Sequence, residues 1–162
     1  MFKKGKIEGV EIRTLKKYVD ERGWLAELFR SDDVSSALMP VMAYLSVSRP
    51  NTTRGPHEHV DQADYFCFIG PSNFKLTLWD HRAQSPTFRN KMQWIMGEDA
   101  PASVIVPAGV VHAYQNVGGK DGVVINCPNR LFMGVKRQDP IDEIRHEADR
   151  NSPFVLDLGD AS

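Results

Sequence analysis

The chain has 162 residues, 41% hydrophobic and 25% charged, with 12 Gly and 10 Pro, an ordinary make-up for a globular domain. A chain of this length buries roughly 70% of the surface its unfolded form exposes, so one domain over residues 1–162 with room for a small pocket is expected. With 20 Lys+Arg against 21 Asp+Glu the formal charge is -1, which excludes a net field drawing the chain to nucleic acid or anionic lipid and makes any phosphate site a local one. No apolar stretch follows the basic start MFKKGKIEG and no run reaches about 18 apolar residues, so no membrane partner and a cytoplasmic location are expected. Cys67 and Cys127 each sit inside an apolar run and read as reduced, buried thiols.

In chain order, Ser31-Asp32-Asp33 predicts a cap for a short helix through Leu38, ended by Pro40. Residues 41–48 alternate apolar and polar, the pattern of a half-buried strand, as do residues 74–79. Residues 65–69, 103–106 and 123–125 are short apolar runs and predict buried strands. Pro and Gly turn signals separate these segments, and charged residues 140–148 predict a second short helix. The segment from Asn151 onward is expected to cross the surface or a partner subunit. The sum is an all-β jelly-roll barrel or sandwich with a few short helices. Trp79, Trp94 and Phe68 are expected in the core, and so is Trp24, with stacking on a base as the alternative.

The densest chemistry is Arg54-Gly55-Pro56-His57-Glu58-His59, followed by Gln62 and Asp64. Residues two apart on a strand face the same side, so His57 and His59 are expected to point into one cavity. A second cluster reads Pro107-Ala108-Gly109-Val110-Val111-His112-Ala113-Tyr114-Gln115-Asn116. The pair resembles the two signature motifs of the cupin superfamily, an HxH with an acid shortly after it and PxGxxHxxxN, with Asp64 where cupins usually carry Glu. The resemblance implies a jelly roll with His57, His59 and His112 converging in its mouth. With Asp64 these three imidazoles make a donor set for Fe, Mn, Ni or Zn. His81 and His146 read as solvated or structural.

A closer resemblance is carried by four motifs in chain order. Asp20-Glu21-Arg22-Gly23-Trp24-Leu25-Ala26-Glu27 resembles the DxRGxFxE opening of the dTDP-4-dehydrorhamnose 3,5-epimerase family. Arg54-Gly55-Pro56-His57 is similar to its RGxH, residues 80–88 (DHRAQSPTF) to its DxRxxSPTF, and residues 107–114 to its PxGxxHGF. The resemblance implies a cupin that works without a metal or other cofactor on a dTDP-linked 4-keto-6-deoxy sugar in polysaccharide or glycosylated-metabolite biosynthesis. It implies His57 as the base beside the ketone, a lysine that steadies the enolate, and a tyrosine that returns a proton from the opposite face. Arg22 and Arg54 match positions expected to hold the diphosphate, for which paired guanidinium donors are suited. Glu27, Gln62 and His112 match positions lining the sugar and nucleotide site. A homodimer is implied as well, since pairing jelly rolls edge to edge leaves fewer strand edges exposed.

Two positions depart from that pattern. The family's Q-x-K falls on Gln62-Ala63-Asp64, so the lysine is replaced by Asp64, and the tyrosine position falls at Leu131-Phe132, where Phe132 has no hydroxyl. A carboxylate where an enolate develops raises the transition state unless it is protonated or neutralised. A divalent ion on His57, His59, Asp64 and His112 would do the lysine's work as a Lewis acid. His57 is then a ligand and not the free base, so the two mechanisms exclude each other. A third reading is a non-catalytic nucleotide-sugar-binding cupin. Tyr114 and Tyr65 are candidates for the missing hydroxyl, and Asp139, Asp142 and Asp149 for a carboxylate partner of His57.

Overall fold

The computed structural model describes residues 1–156. Seven strands precede the middle of the chain: β1 Lys3–Lys4, β2 Glu11–Thr14, β3 Tyr18–Asp20, β4 Gly23–Leu25, β5 Tyr44–Ser48, β6 Thr53–Glu58 and β7 Asp64–Phe68. Six follow: β8 Asn73–Asp80, β9 Asn90–Gly97, β10 Ala102–Val106, β11 Val110–Asn116, β12 Gly122–Asn126 and β13 Ile144–Arg145. They form a six-stranded sheet in the order β1-β9-β8-β11-β6-β13, a five-stranded sheet β2-β10-β7-β12-β5, and the separate hairpin β3-β4.

Alternation in the sequence becomes the two faces of each sheet. Phe74, Leu76 and Leu78 of β8 meet Phe66 and Phe68 of β7 and Val104 and Val106 of β10 in the core between the sheets. The intervening β7 residues, Tyr65 and Cys67, pack on the outer face of the five-stranded sheet with Leu15, Val34 and Cys127. Because β7 is covered on both faces, its run is apolar throughout instead of alternating. On the outer face of the six-stranded sheet Trp79, Val111 and Ala113 are covered by Phe154, so the segment after Asn151 returns onto this chain, as far as residue 156 is described. Cys67 and Cys127 are free and buried, as expected.

Several sequence expectations are corrected. The helix expected over residues 140–148 is absent: this stretch holds β13, which pairs with β6, and a 3-10 turn at His146–Ala148. Tertiary pairing overrides its charged, helix-compatible composition. Of the helix expected up to Leu38 only a 3-10 turn, Ser36–Leu38, forms. Trp24 is not a core residue, being half exposed on the hairpin, whereas Trp79 and Phe68 are buried and Trp94 packs against the core from a partly buried position. Strand β9 carries Met92, Trp94 and Met96 on its inner face, a period-2 signal missing from the segments anticipated. No helix among the described residues is long and apolar enough to cross a membrane.

Candidate functional site

Strands β6 and β11 are antiparallel neighbours with His57 opposite His112. Between them position 55 has to be glycine: its φ is +84°, and a Cβ there would stand 2.5 Å from the backbone oxygen of His112. The backbones therefore close tightly, and the rings of His57 and His112 meet with centroids 4.4 Å apart. The His59 ring joins them at 5.9 Å from His57 and 5.7 Å from His112. One nitrogen of each ring lies within 4.8 Å of the others, so the convergence expected from spacing is present. Its cause differs in part, because β6 ends at Glu58. Asp142 draws His59 inward, its backbone oxygen accepting from His59 Nδ1. The Asp142 carboxylate accepts from the backbone amides of Val60, Asp61 and Gln62 at 2.7, 2.9 and 2.8 Å.

A carbonyl only accepts, so the proton on His59 Nδ1 is fixed by Asp142, and that on His112 Nδ1 by the Val110 carbonyl 3.1 Å away. Both Nε2 atoms then face one carboxylate oxygen, Asp64 Oδ2, at 3.3 Å from His59 and 3.2 Å from His112. The other oxygen, Oδ1, accepts from Gln62 Nε2 and Asn126 Nδ2, each at 2.8 Å. His112 Nε2 is within ion-pair reach of Asp64 but lacks hydrogen-bond alignment, and it is buried without a hydrogen-bond partner.

This packing separates the histidines electrostatically. Burial, reinforced by the neighbouring imidazoles of His112 and His59, holds His57 down to about 2, so its ring is neutral. Burial also opposes a charge on His59, but Asp64 and the Asp142 carbonyl outweigh it and raise His59 to about 9. Asp64 lies well below the usual carboxylate range despite its burial, because His112 and His59 face it. The site thus holds a neutral imidazole beside an imidazolium–carboxylate pair.

The histidines open onto a cavity of about 1380 Å³. His57, His59, Arg54 and Gln62 border it, while Asp64 and His112 stand behind them. Arg54 is anchored by Nε to Ser48 Oγ at 3.2 Å and by Nη2 to the Val47 oxygen at 2.9 Å. Arg22 and Glu27 do not border the cavity in this chain. Arg22, with its side chain 83% exposed, pairs with Asp20 at the tip of the hairpin, and exposed Glu27 pairs with Arg30 at 3.5 Å. None of Asp139, Asp142 and Asp149 bonds His57: Asp142 serves the His59 loop, Asp149 accepts from the Asn151 amide, and Asp139 borders the cavity.

Phe132 lines the cavity without a hydroxyl, and Tyr65 turns its hydroxyl outward to the Leu28 oxygen and Ser103. Tyr114 borders the cavity, its hydroxyl on Ser46 Oγ at 2.9 Å. His81 is exposed and His146 bonds the buried Glu58 at 2.9 Å, a structural role. Sequence reasoning passed over Tyr44 and Asn126. The signal for Asn126 was a polar residue directly after the apolar run of residues 123–125. If a metal binds, the ring nitrogens of His57, His59 and His112 are the clustered donors; the carboxylate expected with them, Asp64, stands against His59 and His112 and outside that cluster.

The family model described as dTDP-4-dehydrorhamnose 3,5-epimerase matches residues 4–144. The chain is 32% identical over 139 residues to the probable low-salt glycan biosynthesis epimerase Agl13 of Haloferax volcanii, covering 85% of this chain and 86% of that protein. The crystal structure of a dTDP sugar isomerase from Desulfovibrio desulfuricans G20 is similar with a TM-score of 0.78 at 20% identity, over 95% of this chain and 94% of that one. ChmJ, a 3'-monoepimerase from Streptomyces bikiniensis in complex with dTDP-quinovose, gives 0.73 at 21% identity, over 90% and 72%. At such identities the two structures establish likeness of fold.

Proposed function

The chain belongs to the dTDP-4-dehydrorhamnose 3,5-epimerase family, and we propose that it epimerises or isomerises a dTDP-4-keto-6-deoxyhexose, with His57 taking a proton from carbon next to the ketone. The observation that carries this reading is the packing of the His57, His59 and His112 rings at one cavity with Asp64 behind His59 and His112, a setting that favours a neutral His57 and a charged His59. Groups whose environments push their pKa values apart are suited to opposite roles. His57 is free of a proton at neutral pH, and negative charge growing on the sugar raises its affinity for the proton as the transfer proceeds. The His59 ring has Nδ1 on the Asp142 carbonyl and Nε2 on Asp64, so in this reading it offers the enolate oxygen the positive charge of its ring and not a hydrogen bond, where the family uses a lysine. Asp64 itself is screened from the cavity by the rings it faces, which answers the charge objection raised by its position.

Arg54 borders the cavity and provides guanidinium donors for the diphosphate, Gln62 a polar wall, and His112 a buried support for His57. Arg22 and Glu27 reach a nucleotide only if a second copy brings the hairpin to this cavity, and that is the role the homodimer has in this reading. The test is solvent exchange: in heavy water with dTDP-4-keto-6-deoxyglucose, deuterium is expected at C3 or C5. Absence at both carbons, where an authentic 3,5-epimerase exchanges, rejects the reading; stabilisation by dTDP without exchange makes the chain a binding protein.

A second reading is favoured by one observation, the buried and unpartnered Nε2 of His112. Imidazoles whose Nδ1 is fixed by backbone carbonyls are oriented as metal ligands commonly are. A divalent transition metal there would polarise a carbonyl as a Lewis acid, with His57 a ligand instead of the base. Elemental analysis of untagged protein decides: less than about a tenth of an equivalent of metal, with no rise in melting temperature on adding one, removes this reading.

A further inference from the structure

Inversion at carbon needs a proton to leave one face of the sugar and another to arrive at the opposite face. His57 sits on the six-stranded sheet, and the wall across the cavity includes Tyr44, the first residue of β5 in the five-stranded sheet. Tyr44 pairs in register with Asn126 on β12, and Asn126 pairs with Phe66 on β7, two residues beyond Asp64. The buried Asn126 amide links these strands: Nδ2 donates to Tyr44 Oη at 2.9 Å and to Asp64 Oδ1 at 2.8 Å. The Asn126 orientation is fixed because Oδ1 accepts from the Tyr65 backbone amide at 3.1 Å. The Tyr44 oxygen therefore accepts, and among the described residues its own proton has no acceptor. Tyr44 is 44% exposed as a residue, but partial desolvation of its hydroxyl and the nearby charge of Asp64 both act to keep the phenol protonated.

The other three of the four tyrosines have different settings. Tyr18 stands on the exposed hairpin and Tyr65 bonds outward. The Tyr114 hydroxyl is paired with Ser46 Oγ at 2.9 Å on the floor of the cavity.

We propose that Tyr44 is the catalytic acid of this site, delivering its phenolic proton to the sugar carbon on the face opposite His57, in place of the hydroxyl that Phe132 lacks. The inference rests on the epimerase reading. In the first step the carbon–hydrogen bond breaks, His57 takes the proton, and the electron pair forms the enolate carbon–carbon double bond as the ketone oxygen takes the charge. In the second step the ketone re-forms, the carbon takes the proton of Tyr44, and the Tyr44 oxygen keeps the electron pair of its O–H bond. Exchange with water returns a proton to Tyr44 and removes one from His57, so no oxidant, reductant or co-reactant is needed.

The test compares wild type with Tyr44→Phe in heavy water on dTDP-4-keto-6-deoxyglucose, following deuterium uptake and configuration separately. Tyr44→Phe is expected to keep uptake within about ten-fold of wild type while inversion falls by at least about 100-fold, giving labelled sugar of unchanged configuration. Inversion at the wild-type rate, or equal loss of uptake and inversion, overturns the assignment. Wild type that takes up no deuterium defeats the epimerase reading itself. If Tyr44→Phe melts before assay, 3-fluorotyrosine placed at position 44 lowers the phenol pKa with the ring retained. The ratio of inversion to deuterium uptake at fixed neutral pH is then expected to change, because a more acidic phenol delivers its proton at a different rate, and an unchanged ratio overturns the assignment.

Discussion

Asp64 and Asp80 are both almost without exposed surface, yet they are held in opposite ways. Asp80 receives all its donors from its own neighbourhood: Arg82 through Nε at 2.9 Å and Nη2 at 3.0 Å, Ser85 Oγ at 2.6 Å and Thr87 Oγ1 at 2.6 Å. These bonds, Arg82 foremost, outweigh burial and hold Asp80 to about 2. Asp64 is met by groups from β6's end, β11 and β12, and one of them, His112 Nε2, has no hydrogen bond. A carboxylate saturated by its own loop is a fixed structural part. One shared among distant rings depends on the whole fold, and its protons can be redistributed.

That contrast is sharpened first at His57, the proposed proton acceptor. His57→Asn is expected to lower deuterium exchange by about three orders of magnitude with little change in melting temperature, checked by mass spectrometry and calorimetry on one preparation. Asp80→Ala is expected to do the reverse, costing about 2–4 kcal/mol of stability in urea titration while folded protein exchanges at the wild-type rate. If Asp80→Ala silences exchange without destabilising, the division between the two aspartates is wrong.

A smaller effect is read in pH. His59 is raised from 6.5 to about 9 on folding, so its contribution is fully present below 6.5 and is lost as pH rises through about 9. The melting temperature of wild type is expected to fall across that window, and Asp64→Asn to flatten the fall because His59 loses its counter-charge. An unchanged slope in Asp64→Asn detaches His59 from Asp64. Smallest of all is Arg22→Ala: the pair with Asp20 is open to solvent, so the melting temperature stays put. Weakened dTDP binding in this variant, measured calorimetrically, would place the hairpin at a nucleotide site.

The sequence carried the fold well where alternation was clean, as at Phe74, Leu76 and Leu78, and where two covered faces made β7 apolar throughout. It also carried the meeting of His57 and His112 on paired strands, whereas His59, beyond the end of β6, joins them with the help of Asp142. What lay out of reach depended on partners distant in sequence. Asp142 meets His59 from 83 residues away, and nothing in the composition of its segment distinguishes a strand paired with β6 from a charged helix. Asp64 could be located but not its protonation, which depends on rings brought from β6 and β11. Trp24 is apolar in type yet exposed, because the hairpin has no sheet of this chain beneath it.

The strand β13 and its flanks have a consequence for how the cavity would receive a ligand. This segment is part of the cavity wall, but it is also hydrogen-bonded along β6, capped onto residues 60–62 by Asp142, and tied to Glu58 by His146. Lifting it to admit a bulky group would strip the strand pairing and release the His59 ring in the same movement. Such a wall serves badly as a door. If the chain acts on a nucleotide sugar as proposed, this side of the cavity discriminates by fit against a wall that keeps its shape, and not by opening and closing.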